Sequence, residues 1–342
     1  MSAVSGKNVW AVGNYGGKTS ILHWNGLRWS RVPSPNPGSG IRDLNAVSAV
    51  SPTDVWAVSD TSYLSETLIL HWDGTRWSRV TSPNPGPDSN GLIGVSATSA
   101  TDAWAVGSAG TFLGLYLRYR TLVLHWDGTT WSQAASPNPS EGGNVLFGVS
   151  AESATDAWAV GYDDIEGETE TLILHWDGSG WSRVIGPNPG SGSNKLSGVS
   201  AVSPTGAWAV GDSRGFATSV HETLILHWNG SRWSQVKSPS PGASFNALTG
   251  VSAVSPTDAW AVGIYRDEDE IGHTLALHWD GTRWSQVKTP NPGSVFNELS
   301  SVSAVSPKDA WAVGYYQEAG VHALVLHWNG TKWSQADVHR VR

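Results

Sequence analysis

The sequence predicts an all-β fold: a seven-bladed β-propeller with four antiparallel strands per blade and no helices of note. Three observations predict it. Tryptophan occurs 21 times in 342 residues, in seven groups of three. The first tryptophans (Trp10, Trp56, Trp104, Trp158, Trp208, Trp260 and Trp311) recur every 46 to 54 residues, and 32 residues always separate a group's second tryptophan from the next group's first. All length variation therefore falls between the first and second tryptophans, where the gap runs from 14 to 22. Finally, every repeat carries Asn-Gly or Asp-Gly after its second tryptophan, a short hairpin signal, and no stretch has a helical period.

The stretch from Leu248 to Pro292 shows the strands in order. Strand A, Leu248 to Ser255, is small and β-branched and stops at Pro256-Thr257-Asp258. Strand B is Ala259 to Val262, ended by Gly263, and strand C, after the variable loop, is Thr274 to Trp279. Asp280-Gly281 predicts a type I′ turn with positive φ at both central residues. Strand D is Thr282 to Val287, and Thr289-Pro290-Asn291-Pro292 forbids its continuation. Seven such units divide the chain into blades at about 1–37, 38–85, 86–139, 140–189, 190–241, 242–292 and 293–342 of a single domain. Each blade is continuous in sequence, so the expected ring closes by noncovalent packing.

Composition narrows the function. No cysteine is present, which excludes disulfide scaffolds, cysteine-zinc sites and thiol catalysis. The net charge of -8 argues against nucleic acid or anionic lipid as a partner. No apolar run approaches the ~18 residues of a membrane helix, so no membrane insertion is expected. Met1 leads directly into repeat sequence without a basic-then-apolar leader, as a mature or trimmed domain would.

The string Val-Trp-Ala-Val-Gly … Leu-His-Trp-(Asp/Asn)-Gly-Thr-x-Trp-Ser resembles the tandem repeats of bacterial propellers, many of them secreted or surface-attached. It is loosely similar to photosystem II assembly-factor and Asp-box repeats. An Asp-box separates Asp from Gly by one residue, whereas Asp73 and Gly74 are adjacent, so sialidase chemistry is not implied. A looser similarity, in architecture and composition, is to bacterial and fungal propeller lectins. These likenesses imply an extracellular or cell-surface bacterial setting.

Several polar residues recur. Strand C ends in His23, His71, His125, His175, His227, His278 or His327, and the A–B turn carries Asp54, Asp102, Asp156, Asp258 or Asp309, with Asn8 and Gly206 in the remaining two repeats. Strand A has a serine at a fixed place, from Ser2 to Ser303. A catalytic triad is needed once, and these residues occur in every repeat, so they predict a structural hydrogen-bond network like that of WD-type propellers. No catalytic residue and no cofactor is predicted. An asparagine before strand A (Asn90, Asn144, Asn194, Asn246, Asn297) either caps its turn or presents an amide to a ligand.

In a four-stranded blade the B–C and D–A loops share one edge, and here that edge holds all the length variation. Loops that vary on a fixed frame predict the recognition surface. The reading is a non-catalytic, lectin-like recognition protein, a monomer, with Tyr63, Tyr116, Tyr119, Tyr162, Phe216, Tyr265 and Tyr315 stacking on sugar rings beside the five asparagines. The alternative is a protein-interaction scaffold using the same edge, favoured by how little the loops resemble one another; an enzyme at the channel mouth ranks last. The segment Thr111 to Arg120 reads as an exposed apolar loop. The acidic loops containing Asp163, Asp164, Glu166, Asp267 and Asp269 are weak metal candidates without EF-hand spacing, and read as solvated acidic loops.

Overall fold

The computed structural model describes residues 1–37, 42–61, 66–114, 116–165 and 167–338. The first four strands are β1 (Ser2–Ser5), β2 (Asn8–Tyr15), β3 (Lys18–Trp24) and β4 (Trp29–Arg31). Next come β5 (Arg42–Ser51), β6 (Asp54–Thr61), β7 (Leu68–Trp72) and β8 (Trp77–Val80), then β9 (Ser89–Ser99), β10 (Asp102–Leu113), β11 (Tyr116–Trp126) and β12 (Trp131–Gln133). The middle of the chain forms β13 (Gly143–Ser153), β14 (Asp156–Ile165), β15 (Glu168–Trp176), β16 (Trp181–Arg183), β17 (Ser193–Ser203), β18 (Gly206–Arg214), β19 (His221–Trp228) and β20 (Trp233–Gln235). The last eight are β21 (Phe245–Ser255), β22 (Asp258–Arg266), β23 (Gly272–Trp279), β24 (Trp284–Gln286), β25 (Phe296–Ser306), β26 (Asp309–Glu318), β27 (Gly320–Trp328) and β28 (Trp333–Gln335). No helix occurs among the described residues.

The expected count of seven separate blades is corrected. Five four-stranded sheets stand alone as blades: β1–β4, β5–β8, β9–β12, β21–β24 and β25–β28. The fourth and fifth repeats instead share one eight-stranded sheet, ordered β13-β14-β15-β17-β18-β19-β20, with β16 on β15. The join is a parallel pairing of Thr169 with Ser193, whose hydroxyls lie 2.7 Å apart. Strand C of the fourth repeat overshoots far enough to reach the next strand A.

The chain divides into two compact units. The first comprises Ser2–Gly167 and Leu172–Val184; the second comprises Glu168–Thr171 and the chain from Ile185 onward, with Met1. Within each unit the apolar cores lie between consecutive blades. In the first unit Trp56, Val58 and Ile69 pack on Leu92, Ala105, Leu124 and Trp131 of the following blade. In the second, Trp208, Val210 and Ile225 pack on Leu248, Ala261, Leu277 and Trp284.

Tryptophan organises these layers. The strand-B indole stacks on the histidine of its own blade, as Trp56 on His71 at 4.2 Å between centroids. It also meets both remaining tryptophans of the next blade: Trp126 at 5.0 Å, and Trp131 edge-on at 5.2 Å and 85°. Trp208 meets Trp279 and Trp284 in the same way. The histidine Nε2–H in turn donates to the A–B turn carboxylate in five repeats, as His71 to Asp54 and His125 to Asp102, each at 2.8 Å.

Serine does not join that network, contrary to expectation. Ser48 Oγ accepts the Ala97 N–H of the next strand A at 3.0 Å, and Ser2, Ser96, Ser200 and Ser252 do the same for Ala49, Ala151, Ala253 and Ala304. Its hydroxyl therefore staples one innermost strand to the next.

The C–D turn also differs from the type I′ expectation. Trp72 pairs with Trp77, so the loop holds four residues, and only its glycine has positive φ (Gly74, +91°). The turn is held instead by Asp73 Oδ1, which accepts the N–H groups of Thr75 and Arg76 and the Thr75 hydroxyl. The Thr75 hydroxyl and these amides draw the Asp73 pKa down to about 2. Asparagine offers the same oxygen at Asn25, Asn229 and Asn329, which is why the two residue types interchange.

Strand A carries a bulge in each repeat from the second to the seventh. The ladder skips Asn45, Ile93, Phe147, Ser197, Thr249 and Ser300, the positions where strand A varies most. A bulge pushes the preceding carbonyl inward, so a Cβ on Gly211 would lie 1.9 Å from the Lys195 oxygen. That contact explains Val-Gly at the end of strand B.

Two consequences are measurable. Burial lowers the His227 pKa below 6.5, because Gly206 leaves this histidine without an acid. The unfolded chain then binds the extra proton, so stability falls as pH drops below about 6.5. Gly206→Asp, whose Cβ would meet only the side chains of Ser203 and Val202, supplies the missing partner. It should stabilise the protein by about 1 kcal/mol at pH 8 and by more at pH 5.5, read from urea denaturation. In contrast, Trp56→Ala opens a hole between two blades and should cost about 3–5 kcal/mol, measured the same way.

Candidate recognition edge

In each blade the antiparallel order places the B–C hairpin and the D–A connector at one edge. Two devices position it. Asn36, Asn84, Asn138, Asn188 and Asn291 of the Pro-Asn-Pro connectors accept the N–H of the threonine five residues before the strand-C tryptophan, Thr19, Thr67, Thr121, Thr171 or Thr274. The asparagine before strand A then closes the connector. Asn90 Oδ1 accepts Gly86 N–H at 2.7 Å while its Nδ2 donates to Gly86 O at 2.6 Å.

Asn144, Asn194, Asn246 and Asn297 bind Ser140, Gly190, Gly242 and Gly293 likewise. All five are buried, and Asn194, Asn246 and Asn297 also donate to the carbonyls of Thr169, His221 and Gly272. Both ends of each amide are thus spent on backbone. These five side chains are withdrawn from the ligand-binding set and remain as turn caps.

In the first unit, the segment read as a loop is an ordered ribbon. β10 and β11 pair without a break out to Leu113 opposite Tyr116, and Gly114 at φ +68° starts the turn. Asp88 anchors the ribbon by accepting the Phe112 N–H at 2.7 Å, and Arg118 pairs with Glu141. The tip is apolar and exposed: Phe112 and Leu113 are each 55% accessible and Tyr116 81%. Tyr119 and Tyr162 are half-buried, and Tyr162 packs on Phe147 at 5.8 Å. Burial, then the neighbouring Asp164 and Tyr119, raises the Tyr162 phenol pKa.

In the second unit the edge is a run of acid–histidine–aromatic contacts. Asp212 pairs with His221 at 2.8 Å, and His221 packs on Phe245 at 4.8 Å. Arg266 lies over the Phe245 ring at 5.4 Å and pairs with Glu270, which accepts the Ser244 hydroxyl at 2.6 Å. Tyr265 stacks on His273, which donates to Asp267. Tyr315 stacks on Phe296 at 5.4 Å and donates its hydroxyl to Glu298 at 3.1 Å. Burial raises the Glu298 carboxyl pKa, and burial together with Glu298 pushes the Tyr315 phenol up to about 12. Phe216 is exposed and stands against Gly192.

Tyr63, Glu166 and the tail from His339 lie outside the described residues. The acidic positions are not gathered for a metal: among the described residues no group of three ligands forms. Asp163 is fully buried against Arg183 at 3.3 Å, and Asp164 accepts the Gly167 N–H. Asp267 Oδ1 caps its own loop through the N–H groups of Asp269 and Ile271. Sequence reasoning missed Tyr15, capped by Arg31 at 4.4 Å, and the rings of Phe245 and Phe296, which pack on His221 and Tyr315. The Phe-Asn dipeptide shared by the sixth and seventh repeats was their only signal.

No family model matches the chain, and no curated protein matches it. Solved structures do. YCF48 bound to D1 peptide is 16% identical with a TM-score of 0.57, covering all of this chain and 92% of its own. An ulvan lyase, a polysaccharide lyase solved with a saccharide bound, is 9% identical at 0.59, covering 97% and 92%. The fucose-specific lectin of Aleuria aurantia reaches only 0.47 over 85% of this chain. At these identities the first two show a shared β-propeller fold, and the lectin likeness carries no weight.

Proposed function

We propose that this chain is a non-catalytic recognition protein that binds a protein partner through its B–C/D–A edge, with the β10–β11 ribbon as the main contact. The observation that carries the reading is the ribbon tip. Three large apolar side chains stand in solvent on a backbone already ordered by a strand ladder and by Asp88. Soluble proteins seldom expose such a patch without a use, and preordering lowers the entropy lost on binding. Arg120, exposed on the same ribbon opposite Ala109, favours a partner segment that mixes apolar and acidic residues. YCF48, which shares the fold, was solved with a peptide bound, in keeping with this reading.

Catalysis is disfavoured because the repeated His–Asp pairs serve the tryptophans, and the serines staple strands. A glycan remains the second reading on one observation: Tyr315 offers a 38% exposed ring on Phe296, beside the Glu298 carboxylate. Aromatic face plus hydroxyl acceptor is the pairing a sugar uses.

The triple variant Phe112→Ser, Leu113→Ser, Tyr116→Ser separates the readings. Each position is exposed, so stability should change by no more than about 0.5 kcal/mol per site. Displayed peptides selected on the wild type should be rich in apolar and acidic residues and should bind the variant at least about tenfold more weakly by calorimetry. Glycan-array binding untouched by the triple variant and lost in Tyr315→Ala would overturn the protein reading in favour of sugar.

A further inference from the structure

The fifth repeat departs from the others at the connector. Where five connectors place an asparagine carboxamide against strand C, this one has Ser240, whose Oγ accepts the Thr223 N–H at 3.0 Å. Serine satisfies the same hydrogen bond with a smaller side chain. A polar depression of about 470 Å³ lies here, lined by Glu222, Thr223, Gln235, Lys237, Ser238 and Ser240.

Its wall chemistry is specific to this repeat. In the second repeat, Glu66 occupies the place of Glu222 and pairs with Arg79 at 3.2 Å. The residue matching Arg79 is Gln235, so Glu222 has a neutral neighbour where Glu66 has a cation. At the base, Thr223 Oγ1 lies 2.7 Å from Ser238 Oγ and 3.1 Å from Ser240 Oγ. Lys237 contributes one ammonium. The walls thus hold one carboxylate, one ammonium, one amide and three hydroxyls, without an aromatic plate.

From this we infer that the depression is a binding site for a small, uncharged, hydroxyl-rich molecule, such as a single sugar ring or a cyclitol. Adjacent hydroxyls donate to Glu222 and to the Gln235 carbonyl and accept from Lys237. A multiply charged anion would face Glu222, and a metal cation would face Lys237, so the balanced charge selects a neutral ligand. This site is independent of the ribbon and of the protein-partner reading.

The test is amide-resolved NMR titration of the full chain with D-glucose, D-mannose, D-galactose and myo-inositol, with the zwitterion glycine betaine and the inorganic phosphate anion as comparison probes. At least one polyol should give saturable shifts at Thr223, Lys237, Ser238 and Ser240. Ser240→Asn, which restores the side chain of the other connectors, should weaken that binding at least about tenfold, and Glu222→Gln should weaken it several-fold. Lys237→Met, an exposed change, provides the same reading should Ser240→Asn fold poorly. The triple ribbon variant should bind the polyol as the wild type does. Shifts that never saturate, shifts with betaine or phosphate in place of every polyol, or equal binding by Ser240→Asn and Lys237→Met would each overturn the assignment.

Discussion

The structure depends on one contact, the strand-B tryptophan set between the histidine of its own blade and the tryptophan pair of the next. The indole N–H groups of Trp10, Trp56, Trp104, Trp208 and Trp260 are buried without an oxygen or nitrogen acceptor. An orphaned buried donor ordinarily costs about 1–3 kcal/mol. Here the surroundings are ring faces and edges, at 4.9–5.5 Å, which favour an N–H group directed at a π surface over full exposure to hydrocarbon. The middle tryptophan of each group behaves differently. Trp72 donates to the Pro52 carbonyl of its own A–B turn, and Trp279 to that of Pro256. A ring pinned to one turn while serving as the socket for the preceding blade's indole tolerates no slip.

That dependence explains how much was legible in the sequence. Tryptophan spacing reports packing between neighbours in the chain, so strands, their order and the repeat period could be read directly. Hydrogen bonds across long separations could not. Ser48 stands near His71 and Asp54 in the repeat pattern, yet its hydroxyl binds Ala97, 49 residues away. The merging of two repeats into one sheet turned on a single pairing at Thr169, which no local propensity announces. The C–D turn was misread for a different reason. Asp-Gly fits a two-residue turn, but the aspartate oxygen finds three donors if the loop widens to four residues.

The candidate edge was legible in place and poorly legible in detail. Variable hairpin length located it. Which residues face a ligand depended on pairings between a connector and a hairpin more than twenty residues apart, such as Phe245 with His221. The asparagines drew notice because they recur, and recurrence marks service to the frame. Their amides close connectors in every repeat where they occur. The ribbon falls in the length-variable stretch between the first and second tryptophans, which the repeat pattern alone leaves as a loop, although its ladder runs unbroken from Ala103 to Leu113.

Recurrence and departure therefore carry opposite information in this chain. A residue that recurs from repeat to repeat is consumed by the frame: histidine holds tryptophan, serine holds the next strand, asparagine holds the connector. A residue that departs from the pattern leaves its partner to find another arrangement. Ser59 in place of the strand-B glycine donates its hydroxyl to the Asp43 carbonyl. Gly206 leaves His227 without an acid, and burial alone then governs that imidazole. Ser240 keeps the hydrogen bond of the asparagine it replaces and lines a polar depression. Of these three departures, only the last leaves both satisfied backbone and unfilled polar space, which is the condition a ligand requires.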